Sequence, residues 1–101
     1  MDPRLRLHNV LKAINGVETV CFQPKSSTVL KYPAIVYQRD NSYSVYANNK
    51  MYLRWKRYQV TVIDRNPDSI IPDQVEKLTS ARFERSYAID GLNHYVFNVF
   101  V

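Results

Sequence analysis

The sequence predicts an α+β fold: a mostly antiparallel sheet of about four to five strands, with an N-terminal helix and a second helix packed on one face. Two observations point there first. Apolar residues recur at helical spacing near the start and again around residue 75, and elsewhere they alternate with period two. The third is composition. A chain of 101 residues, 46% hydrophobic and 23% charged, has the make-up of one globular domain spanning residues 1–101. At that size it buries roughly two-thirds of the surface it exposes when unfolded, enough for a single core.

The first helix opens at Asp2-Pro3, a capping carboxylate followed by a proline where a missing N–H costs nothing. Leu7, Val10, Leu11 and Ile14 form its packing stripe, Arg4, Arg6, His8 and Lys12 lie outside or at the rim, and Asn15-Gly16 closes it. Glu18 to Phe22 reads as a short strand ended by Gln23-Pro24, with Cys21 buried within it. Tyr32-Pro33 opens the next strand, Ala34 to Tyr37, because proline cannot donate to a ladder and suits a strand start. Polar breaks follow at residues 39–42 and 47–50.

The longest strand signal runs from Met51 to Asp64, and its phase changes partway. Met51, Leu53 and Trp55 are apolar at odd positions; Tyr58, Val60 and Val62 are apolar at even ones. A flat strand cannot bury both sets on one side. Either a bulge near Lys56-Arg57 adds a residue, or a hairpin over residues 38–57 projects beyond the core. After Asn66-Pro67-Asp68-Ser69, a second helix presents Ile71, Val75 and Leu78, with Pro72 in its first turn if the cap is Asp68 or later. Phe83, Arg85, Tyr87 and Ile89 then alternate against Arg82, Glu84 and Ser86. Asp90-Gly91 makes a hairpin turn, and Tyr95, Phe97, Val99 and Val101 alternate beyond it.

The net charge of +5 is unevenly placed: residues 19–63 hold seven basic side chains and one acid, Asp40. Such a field favours an acidic partner, nucleic acid or protein, without choosing between them. No apolar run approaches the ~20 residues that cross a bilayer, and the first residues lack the apolar core of an export signal. The lone Cys21 has no internal disulfide partner.

Catalytic patterns are missing. His8 and His94 have no carboxylate or cysteine at metal-ligand spacing, and both read as surface or rim residues. Gly16 and Gly91, the two glycines, do not build a phosphate cradle. Asp64 and Asp68 read as turn and cap residues. We therefore expect no enzyme, no metal site and no cofactor. The informative stretch is residues 43–58, with five aromatic and four basic side chains and no acid. Its candidate contact residues are Tyr43, Tyr46, Met51, Tyr52, Leu53, Arg54, Trp55 and Lys56, of types enriched where proteins anchor one another. The same mixture suits stacked bases and phosphates, or a half-exposed hairpin with solvated charges.

Four segments in order, Tyr32-Pro-Ala-Ile-Val-Tyr37, Lys56-Arg-Tyr-Gln-Val-Thr-Val-Ile-Asp64, Asn66-Pro-Asp-Ser69 and Leu92-Asn-His-Tyr-Val-Phe97, resemble the tail terminator and tail completion proteins of long-tailed bacteriophages, a family that includes head–tail joining and minor capsid proteins. The likeness runs from residue 32 onward and is structural rather than catalytic; residues 43–55 match poorly. It implies a virion protein of the tail neck, assembled in the host cytoplasm, whose hexameric ring ends the tail tube and docks to the head connector. The implied partners are further copies of the chain, the tail-tube protein and the connector or stopper protein. DNA passes through the ring without specific binding, and no membrane is involved. A head-side joining or stopper role, or a small basic nucleic-acid-binding module, is the alternative.

Overall fold

The computed structural model describes residues 3–25, 28–39, 57–78 and 81–100. Its elements are α1 (Pro3–Lys12), β1 (Thr19–Phe22), β2 (Ala34–Arg39), β3 (Arg57–Asp64), α2 (Ile71–Glu76), β4 (Ala81–Ile89) and β5 (Leu92–Phe100). The strands form one five-stranded sheet in the order β1-β2-β3-β5-β4. Three of the four pairings are antiparallel, and β1–β2 is parallel. The α+β class, the mostly antiparallel sheet and the two helices are therefore as the periodicities indicate. The hairpin anticipated over residues 38–57 falls largely outside the described residues; Gln38 and Arg39 finish β2, and Arg57 begins β3.

Period-two burial fixes two faces. Ile35 and Tyr37 of β2, Tyr58, Val60 and Val62 of β3, and Phe97 and Val99 of β5 pack with Leu7 and Leu11 of α1 and Ile71 and Val75 of α2. Both helices thus cover this helix face. On the far face, Ala34, Ile63 and Val96 are also buried. Val10, placed by spacing on the packing stripe of α1, is instead 44% exposed, while Ile14, past the helix end, packs on the core. A short helix meeting the sheet near its β1 edge buries a narrow stripe, and Val10 falls outside it.

Turn chemistry sets the element ends. Gly16 closes α1 at φ +94°, where a side chain is strained. Backbone bonds extend the parallel pair at both ends: Glu18 donates to Pro33 (2.8 Å) and Gln23 to Tyr37 (2.8 Å). The Tyr32–Pro33 peptide is cis. Past β3, three side chains each accept from a backbone N–H two residues on. Asp64 takes Asn66 at 3.0 Å, Asn66 takes Asp68 at 2.9 Å, and Ser69 takes Ile71 at 3.2 Å. Asp68 is therefore not the helix cap. The N-cap position of α2 is Ile70, which makes no side-chain cap bond, and Ser69 meets the first helical N–H instead.

One alternation is corrected outright. Phe83, Arg85, Tyr87 and Ile89 do not share a face, because the register slips between Phe83 and Arg85. Phe83 opposes Phe97, on the helix face, whereas Arg85, Tyr87 and Ile89 oppose Val96, His94 and Leu92, on the far face. Glu84 is the inserted residue of a β-bulge.

Candidate interface

Asp90 (φ +53°) and Gly91 (φ +76°) both take left-handed backbone, the signature of a two-residue type I′ turn. The turn clamps Ile89 against Leu92 and sets β4 along β5 as the last strand of the sheet. Within β4, eight of nine residues are exposed, and only Ala81 is half-buried. Large apolar groups are among them: Phe83 at 49%, Tyr87 at 40% and Ile89 at 55%. Edge strands are usually blunted by lysine, proline or short length. β4 has neither residue type and runs nine residues, although the Glu84 bulge and the charges of Arg82, Glu84 and Arg85 modulate its edge.

Its side chains are ordered by neighbours on β5. The Phe83 ring meets Phe97 edge-on, with centroids 5.5 Å apart at 71°. Tyr87 lies flat on His94 at 4.7 Å and 10°, and the Arg85 guanidinium sits 6.0 Å from the Tyr87 ring centre. Glu84 holds Arg85 at 3.2 Å, with both side chains substantially exposed. Across the far face, register aligns Gln38, Gln59, Asn98 and Arg82 in one row. The Gln38 amide donates to Gln59 at 3.2 Å, and the buried Oδ1 of Asn98 has no hydrogen-bond partner among the described residues.

A second cluster lies under α1. Tyr37 is fully buried, and its hydroxyl is 2.8 Å from Nδ1 of the half-buried His8. The rings of Phe22, Tyr37 and Tyr58 pack on one another with centroids 5.0–6.3 Å apart, and the Arg4 guanidinium lies 4.7 Å over Phe22. Burial pushes the Tyr37 phenol up against an opposing pull from Arg4, while burial, Lys12 and Arg4 together lower His8. A protonated tyrosine beside a neutral histidine is a hydrogen-bonded core pair. The Asp64–Ser69 turn and Asn15-Gly16 line an open cleft in which Oδ1 of Asp64 and Oδ1 of Asn66 already serve as turn acceptors. Among the described residues, no group of three or more His, Cys, Asp and Glu is placed to hold a metal, and no helix is long and apolar enough to cross a membrane.

The contact residues read from sequence, Tyr43, Tyr46, Met51, Tyr52, Leu53, Arg54, Trp55 and Lys56, all lie outside the described residues. So does the proposed change of phase before Arg57. The edge of β4 went unseen as a surface because period-two alternation marks a half-buried strand and says nothing about which strand ends the sheet. Comparison of the chain with family models, curated proteins and solved structures finds no match.

Proposed function

We propose that this chain is a structural subunit of the head–tail neck of a long-tailed phage, forming a ring that ends the tail tube and docks to the head connector. The observation that carries the proposal is where the resembling segments fall. Residues 32–37 run into β2, residues 56–64 hold β3, residues 66–69 form the turn after it, and residues 92–97 begin β5. Those three strands are consecutive neighbours in the sheet, so the likeness describes one contiguous structural unit rather than scattered words.

A closed ring needs a heterologous contact, one patch meeting a different patch on the neighbour. The acid-free segment 43–58, rich in tyrosine and arginine, suits one side of it. Native mass spectrometry over a concentration series tests this: a six-copy species is expected, and removal of residues 43–55 should abolish it. An oligomer of unchanged mass after that truncation removes the segment from the interface. Binding to a labelled oligonucleotide across a salt series separates the alternative, since phosphate contacts give a steep, linear loss of log affinity with log salt. Retained binding at physiological salt favours the nucleic-acid module.

A further inference from the structure

The bulge in β4 makes that strand complementary to itself, and we infer that β4 pairs antiparallel with β4 of a second copy. Two identical strands related by a two-fold axis keep their side-chain faces matched in a regular strand only when the axis passes through a residue. Centring on Arg85 would set Arg85 against the partner's Arg85; centring on Glu84 would oppose two carboxylates. The inserted residue shifts the parity. Ala81 and Phe83 before the bulge lie on the helix face, as do Ser86 and Ala88 after it; Arg82 before it shares the far face with Arg85, Tyr87 and Ile89.

Faces therefore match when the axis falls between Glu84 and Arg85. Ala81 then opposes the partner's Ala88, Arg82 the partner's Tyr87, Phe83 the partner's Ser86, and Glu84 the partner's Arg85. Every contact is made twice. The Glu84 carboxylate already reaches Arg85 within its own chain at 3.2 Å, so pairing closes a four-charge cluster of alternating sign. Arg82 meets the outer region of a tyrosine that is 40% exposed, a cation–π arrangement. With either residue-centred axis, the far-face Tyr87 would instead oppose a helix-face residue, Phe83 or Ala81.

The other sheet edge is a poor rival. β1 is four residues long and has no charged side chain, so it offers Glu84 and Arg85 nothing. A second copy of β4 supplies equal length and opposite charge, and joins two five-stranded sheets into one. An isologous pair is closed and does not propagate, so this contact is distinct from the ring contact and does not rest on the neck proposal.

Glu84 and Arg85 are exposed, so both can be altered without touching the core. The full chain, Glu84→Arg, and the swap Glu84→Arg with Arg85→Glu are compared by native mass spectrometry and sedimentation, with circular dichroism confirming the fold. Below the concentrations at which a ring forms, a two-copy species is expected for the native chain; Glu84→Arg should raise its dissociation constant roughly tenfold or more. The swap should restore it to within roughly a factor of three. Amide exchange across residues 81–89 should slow as protein concentration rises. A strict monomer, a dimer indifferent to Glu84→Arg, or a swap that fails to rescue overturns the inference. A six-copy species whose mass ignores both variants supports the ring while overturning the β4 pair.

Discussion

Tyr37 takes a hydroxyl into a position with no exposure, where both His8 and Arg4 meet it. In the Nε2-protonated tautomer the phenol donates to Nδ1, an acceptor that exists only while the imidazole is neutral. Burial, then Lys12 and Arg4, hold His8 below its ordinary 6.5. In the unfolded chain it titrates at the ordinary value, so between the two the unfolded state binds more protons. Stability is accordingly full above pH 6.5 and falls as pH drops through that value, levelling off below the folded-state pKa. Urea unfolding from about pH 7.5 to 5 should show this step, and His8→Asn should remove its His8 component while leaving carboxylate effects at lower pH.

Among elements, the β4–β5 hairpin shows how turn chemistry and bulge divide the work. Asp90-Gly91 was legible because few dipeptides supply two consecutive positive φ values, and the structure places both there. Gly91→Ala meets no steric neighbour, so its cost is conformational, about 1–2 kcal/mol in chemical denaturation. A larger loss would mean that register as well as the turn had failed. The bulge two turns of alternation earlier was not legible. Glu84 is no glycine, and with Phe83 and Tyr87 keeping period-two spacing across the insertion the sequence gives no break in pattern to mark the slip. Helix α1 shows the converse: spacing put Val10 on its buried stripe, but packing geometry decided how wide that stripe is.

For the whole molecule, the even positions of β3 and odd positions of β5 mark the sheet's centre because Tyr58, Val60 and Val62, and Phe97 and Val99, alternate toward the helices, even though Ile63 and Val96 are buried on the far face as well. Strand order was not written in any local pattern. β5 enters between β3 and β4, so the most buried part of the sheet joins residues far apart in sequence. On the ribosome β3 is complete by Asp64, yet its neighbour is finished only at Phe100, a delay of about 2–7 s at ordinary synthesis rates. Throughout that interval Arg57–Asp64, with Tyr58, Val60, Val62 and Ile63, has β2 on one side and an open ladder on the other. A chain cut after residue 80 should therefore stay unfolded or aggregate, as read by circular dichroism and light scattering; a cooperative unfolding transition from that fragment would refute it. The stretch that is best protected once folding ends is the one most exposed to wrong partners while the chain is being made.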